Sequence, residues 1–226
     1  RSYSVTGVQT CALPISAAMV RKSINHPAVV LWGFLNEGAS NKPESRSLYA
    51  SLASLIRAQD PSRLVTFATM HPFDDINLDL VDVISVNTYP GWYAQDQNKV
   101  APADEIVPRL AAIRAAMAAK GLANKPLLIS EIGAGAIYGW RDALEAHWSE
   151  EYQERYLETV CREIVDNPAF AGVMLWQFCD CRTYASAMAL RRPRAFNNKG
   201  TLDEFRRPKM AYRTVRRIFT AERAAD

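Results

Sequence analysis

The 226-residue sequence lacks the marks of several large protein classes. It has no run of about 18 or more apolar residues, so no membrane-spanning helix is expected. Its formal net charge is only +3, which argues for no nucleic-acid and no membrane partner. The 4 cysteines (Cys11, Cys161, Cys179, Cys181) form no CxxC pair and no zinc-like spacing with the 3 histidines. No disulfide, metal or cofactor is therefore expected. Cys161 falls on the apolar stripe of a predicted helix, where a reduced, inert thiol is the usual state. No glycine-rich phosphate loop follows the first strand signal, which weakens the case for a nucleotide-binding domain. Internal repeats and low-complexity segments are absent. A basic stretch followed by a long apolar one, as in a secretory signal, is also absent. The compartment stays open, with the cytoplasm as the default expectation.

What is present is the composition of a globular domain, 49% apolar and 23% charged, in a chain long enough for one sizeable core. Arg1 to about Ser16 (RSYSVTGVQTCALPIS) shows neither helical nor strand periodicity. It resembles the translated adapter-like ends of truncated reading frames. It is expected to be a non-native or disordered leader, set apart from a domain over 17–226; a flexible native terminus is the alternative.

Beyond it, strand and helix signals alternate. Continuous apolar runs at 28–35, 64–69, 81–88, 126–131 and 171–178 suit parallel strands covered on both faces. Between them lie helical stripes. Leu48, Leu52, Leu55 and Ile56 end at Asp60-Pro61; Ile106, Leu110, Ile113 and Met117 end at Gly121, a C-cap signal. Tyr152, Tyr156, Leu157, Val160, Cys161 and Ile164 stop at Asn167-Pro168, and a last helix over about 208–219 turns Met210, Ala211, Val215 and Ile218 inward. Alternating βα units mean a doubly wound sheet or a (β/α)8 barrel. Without the phosphate loop, the expected fold class is α/β, a (β/α)8 TIM barrel truncated to roughly its C-terminal five strands. Such a piece would expose two strand edges and is expected to be poorly stable and weakly active or inactive alone.

Two of the runs close on carboxylates, Asn36-Glu37 and Ser130-Glu131-Ile132-Gly133. In a parallel barrel all strand C-termini share one rim, and two carboxylates in one cleft suffice to cleave a glycosidic bond. The surrounding order is more specific: Asn25-His26-Pro27 before the first run, Asp82 through Tyr93 (DVISVNTYPGWY), Lys125-Pro126 through Gly133, Trp148-Ser149-Glu150-Glu151-Tyr152-Gln153, Leu175-Trp176-Gln177-Phe178, and Asn197-Asn198-Lys199-Gly200. This series, from about Ala17 to the C-terminus, resembles glycoside hydrolase family 2, and within it the β-glucuronidase branch.

The resemblance implies a retaining exo-β-glycosidase acting on β-glucuronides. Glu37 would be the general acid/base, with a pKa raised by burial or by its neighbour's charge, and Glu131 the ionised nucleophile. Asn36 would bond the sugar 2-hydroxyl, or else shape the turn after the strand. Tyr89 would orient Glu131, or pack at the barrel mouth. Trp176 would form a sugar platform or fill the barrel top. Asn197 and Lys199 would grip the sugar carboxylate, joined by one of Arg191, Arg192 or Arg194; a solvated turn lysine is the plain alternative. Trp92 and Tyr93 would line the cleft, Asn87 would support it, and His26 would shape a turn. Relatives at full length are expected to be homo-oligomers with upstream jelly-roll and immunoglobulin-like domains. Ile132 stands where the family has a tyrosine, Gly38 where a proline is common, and 179–196 matches poorly. Another family 2 retaining glycosidase (β-galactosidase, β-mannosidase or β-galacturonidase) is the runner-up, then a catalytically inactive carbohydrate-binding fragment.

Overall fold

A computed structural model describes residues 5–93, 103–184 and 192–221. The chain forms two compact units, one drawn from Arg1–Asn87 with Ile113–Leu128, the other from Thr88–Ala112 with Ile129–Asp226. In chain order the elements are α1 (Val5–Ser23), β1 (Leu31–Asn36), α2 (Arg46–Gln59), β2 (Leu64–Thr69), β3 (Ile84–Asn87), α3 (Ile106–Ala119), β4 (Leu127–Ile132), α4 (Glu150–Val165), β5 (Gly172–Leu175), β6 (Cys181–Arg182), β7 (Phe196–Asn197) and α5 (Met210–Thr220). The sheet order of the first five strands follows the chain, β1-β2-β3-β4-β5. The β1–β2 and β2–β3 pairings are parallel. Parallel strands in chain order, joined by helices, are the repeat from which (β/α) barrels are built.

In the first unit, the stripe on α2 buries Leu48, Leu52, Ala53 and Ile56 against the strands, where Val65, Phe67, Ile84 and Val86 are also buried. Each fully buried Leu or Ile contributes about 1.5–3 kcal/mol. Asp60 ends α2 and locks the turn into β2. Its carboxylate accepts from Trp32 Nε1 at 2.8 Å, Ser62 Oγ at 2.5 Å and Arg63 Nη1 at 2.6 Å. Those bonds hold it far below the usual carboxylate range, those from Ser62 and Arg63 most strongly. The end of α3 follows its glycine signal. Gly121 has φ +72°, its N–H donates to Ala118 O at 3.0 Å, and Leu122 N donates to Met117 O at 2.9 Å. That paired arrangement satisfies the last helix carbonyls.

In the second unit, α4 buries Tyr152, Tyr156, Leu157, Val160, Cys161 and Ile164, packing against β5 and α5. Ser149 caps it, its Oγ accepting from Tyr152 N at 3.1 Å. Burial pushes the Cys161 thiol up to about 12.

Three features differ from the sequence reading. Helix α1 reaches back to Val5 through the segment set aside as a leader. Its stripe of Leu13, Ser16, Ala17 and Val20 has helical spacing, with Ser16, Ala17 and Val20 buried. A polar Ser16 and an exposed Pro14 within the helix conceal that period. Next, β1 and β5 are not covered on both faces. Gly33 and Asn36 on β1 are exposed, as is Met174 on β5, at 54%; among the described residues these are the first and last strands of the order. Finally, β6 and β7 form an antiparallel pair, with β6 inside the 179–196 stretch and β7 at its end; two-residue strands leave no periodicity to read. On α5 the deeply buried residues are Ala211 and Thr214, with Met210, Val215 and Ile218 half-buried.

Candidate active site

The first unit carries Asn36, Glu37 and Asn87. Residues Leu31, Trp32 and Gly33 pair in step with Leu64, Val65 and Thr66, but Asn36 pairs with Ala68. One extra residue on β1 makes a bulge, a device that re-aims the side chains beyond it. Glu37 N still donates to Ala68 O at 2.9 Å, while Glu37 itself sits at φ 51°, a sparsely populated backbone state for a residue with a Cβ. Both Asn36 and Glu37 are exposed, so the burial expected around Glu37 is absent in this unit. Asn87, at the end of β3, donates Nδ2 to Glu37 Oε1 at 2.9 Å and to Asn36 Oδ1 at 3.0 Å. One amide thus fixes two neighbours, and it leaves Glu37 Oε2 and Asn36 Nδ2 without partners among the described residues. His26 shapes the turn before β1, its Nδ1 accepting from Ala28 N at 3.2 Å.

The second unit carries the remaining candidates. Glu131 lies on β4, half-buried, and Tyr89 Oη donates to its Oε2 at 2.6 Å. The backbones here also run close, with Thr88 N donating to Glu131 O at 2.8 Å. Trp176 follows β5; the residue is 39% exposed and its backbone N–H donates to Ile132 O at 2.9 Å. A Cβ on Gly133 would strike the Trp176 carbonyl oxygen, so only glycine lets the two segments pass.

Lys199 is 3% exposed. Its Nζ donates to Tyr93 Oη at 2.6 Å and lies 5.3, 5.4 and 4.5 Å from the ring centres of Tyr89, Trp92 and Tyr93. Cation–π attraction of about 0.5–2 kcal/mol per ring partly offsets the lost hydration. Burial lowers the Lys199 pKa, with Tyr93 opposing. Burial likewise pushes the Tyr93 phenol up, but the charges of Lys199 and Arg192 outweigh it and hold it below its ordinary value. Lys199 forms no ion pair among the described residues. Asn197, on β7, is buried; its Oδ1 accepts from Lys199 N at 3.3 Å, and its Nδ2 has no partner among the described residues.

The loop that carries Trp92 and Tyr93 is braced from behind. Trp92 stacks on His147 at 4.5 Å and meets Trp148 edge-on at 4.7 Å. Gly91 O accepts from Tyr152 Oη and contacts His147 Nε2. Burial lowers the His147 pKa, which favours the neutral ring.

Of the arginines in the expected carboxylate loop, Arg194 bonds Glu204 at 2.7 Å, Arg192 donates to Thr183 Oγ1 at 3.0 Å, and Arg191 lies outside the described residues. Sequence reasoning left Tyr93 as a generic cleft residue; its partnership with Lys199 spans 106 positions. It also passed over Asp180 and Lys209. A lysine at the N-cap of α5 was the available signal, because a cation is disfavoured at that end of a helix.

Comparisons with known proteins agree on one family. The profile of "Glycosyl hydrolases family 2, TIM barrel domain" matches residues 7–222, beginning inside α1. The β-glucuronidase of Sus scrofa is 32% identical over 204 residues, covering 88% of this chain and 29% of the relative. That of Felis catus is 33% identical over 214 residues, covering 93% and 31%. Among solved structures, a β-galacturonidase from Eisenbergiella tayi bound to galacturonate superposes with a TM-score of 0.85 at 35% identity, covering 95% of this chain and 37% of that one. The chain thus spans about a third of the length of these relatives. The matched profile covers nearly the whole sequence in order, and the chain belongs to the glycosyl hydrolases of family 2, in their TIM barrel domain.

Proposed function

We propose that the protein hydrolyses β-D-glucuronides with retention of configuration, Glu37 serving as general acid/base and Glu131 as nucleophile. The observation that carries the substrate class is Lys199, a buried ammonium with no carboxylate partner among the described residues. An anionic sugar would supply that missing charge. Charge-assisted hydrogen bonds of this kind contribute about 1.5–3 kcal/mol, whereas a neutral hexoside would leave the lysine desolvated without return. The Nδ2 donor of Asn197 and the phenol of Tyr93 would complete the grip.

In the first step Glu131 attacks the anomeric carbon, and Glu37 protonates the departing oxygen. In the second, Glu37 takes a proton from water, which displaces Glu131 from the glycosyl-enzyme. Such a double displacement needs carboxyl groups about 5–5.5 Å apart. The phenol of Tyr89 against Glu131 favours the charged form that attack requires. Glu37 keeps one carboxyl oxygen unbonded, as proton delivery to an incoming group requires. Asn36, oriented by Asn87, presents its free Nδ2 for the sugar 2-hydroxyl, a bond that strengthens at the transition state.

A β-galacturonide is the second reading, favoured by the likeness to the Eisenbergiella tayi enzyme. It differs at C4 but carries the same acid. Initial rates on aryl β-glucuronide, β-galacturonide and β-galactoside, with protein expressed from its complete reading frame, separate the readings. Preferred turnover of the glucuronide, lost in Lys199→Met, is the expected result. Preference for the galacturonide moves the assignment to the second reading. Preference for the galactoside, unaffected by Lys199→Met, ends both.

A further inference from the structure

The turn that delivers Lys199 stands on a second buried lysine. Lys209 and Asp180 have fully covered side chains and meet at 2.8 Å. Both reach the turn backbone. Asp180 Oδ1 accepts the Gly200 N–H at 2.9 Å, and Lys209 Nζ donates to Asn198 O at 3.0 Å and Ala136 O at 2.7 Å. The Lys209 N–H donates to Thr201 O at 3.0 Å. One buried carboxylate is thus bonded to the residue directly after Lys199. Lys209 takes it; Lys199 stays unpaired.

This pair is a poor device for stability. Burial pushes the Asp180 carboxyl up and the Lys209 ammonium down, each against the pull of the other. Buried ion pairs can often be replaced by neutral groups at little cost, whereas removing one partner strands the other. Lys209 also occupies the N-cap of α5, where its charge opposes the helix dipole. A lysine kept at such a place calls for a reason other than stability.

We propose that Asp180 and Lys209 are positioning residues for acidic-sugar selectivity, a neutral pair beneath the Asn197–Gly200 turn that leaves the charge of Lys199 uncancelled. The inference rests on the uronide reading above. Without Lys209, the stranded carboxylate would offset Lys199 and repel an anionic sugar; without Asp180, Lys209 would add a second positive charge.

The test is the ratio of kcat/KM for aryl β-glucuronide to that for aryl β-galactoside in the complete protein. It is measured in Asp180→Asn, Lys209→Met and the double variant, with Tm recorded for each. The expected order of the ratio is Asp180→Asn above the unsubstituted protein, the double variant near the unsubstituted protein, and Lys209→Met lower by about tenfold or more through the glucuronide KM. A merely structural pair would depress both substrates together, following Tm and not the sign of charge. If Lys209→Met fails to fold, Asp180→Asn above the double variant still carries the sign. Equal ratios in all folded variants, or the reverse order, overturn the inference. If the unsubstituted protein shows no preference for the acidic sugar, the uronide reading falls with it.

Discussion

Glu37 and Glu131 are the same residue type, one directly after β1 and the other on β4, yet their surroundings differ in kind. Glu37 is exposed, follows a bulge, sits at positive φ and is held by an amide, Asn87. Glu131 is half-buried on a regular strand and accepts a hydrogen bond from the Tyr89 phenol at 2.6 Å. Its charge also reaches Lys199, where it supports the ammonium form. An amide donor orients the Glu37 carboxyl group and leaves its second oxygen unbonded among the described residues. A phenol and an ammonium favour the anion. The contrast teaches how one side chain could be fitted to the two proposed tasks: under that proposal local donors, and not strand position, would separate an acid/base from a nucleophile.

The sharpest way to break that contrast is to remove each carboxylate. Glu131→Ala should lose activity on every substrate, by at least about 10⁴-fold. Glu37→Ala should lose about 10²–10⁴-fold, less on aryl leaving groups that need no proton. Equal losses from both variants, independent of leaving group, would deny the difference in role. Next, Tyr89→Phe should lower kcat about tenfold through Glu131. Asn87→Ala should act through Glu37 and Asn36, with its loss shrinking as the leaving group improves. A smaller effect concerns pH. Lys199 gives up its proton below the ordinary lysine value because burial disfavours the charge, and Tyr93 ionises below its ordinary value beside Lys199 and Arg192. Either loss takes the pair from one positive charge to none. The glucuronide KM should therefore climb as pH rises toward the lysine and tyrosine range, about 10, while the galactoside KM stays flat. Parallel curves for both substrates would contradict it.

The smallest effect concerns Asp60, in the first unit. Its folded-state pKa is depressed, so its stabilisation is present above its unfolded value, about 3.9, and lost as pH falls toward the folded one. Asp60→Asn should lower Tm at neutral pH, with the gap to the unsubstituted protein closing in acid. A gap that widens in acid would show the opposite sign.

Much of the fold was legible because its signals are local. The apolar run at 64–69 is β2, the stripe through Tyr152 and Ile164 is α4, and Gly121 ends α3 with the backbone its type permits. Strand ends were less legible. The run begun at Ala28 enters the sheet only at Leu31, because His26 and the turn it shapes hold the intervening residues. At the candidate site the strand-terminal carboxylates could be picked out, since an apolar run that stops on Asn-Glu or Ser-Glu is visible in one dimension. The partners of Lys199 were not visible in that way. Tyr93 lies 106 positions away, and the Asp180–Lys209 pair spans 29. Burial of an ion pair is a property of packing, and no window along the chain contains it. Helix α1 failed to register for a third reason, a serine on its buried face and a proline within its length.

The most direct test of the central claim is the separation of the Glu37 and Glu131 carboxyl groups in a crystal structure of the complete protein with a uronic acid bound. A distance of about 5–5.5 Å, with the sugar between them, is the predicted result. Side chains more than about a nanometre apart, or facing no common sugar, would contradict it.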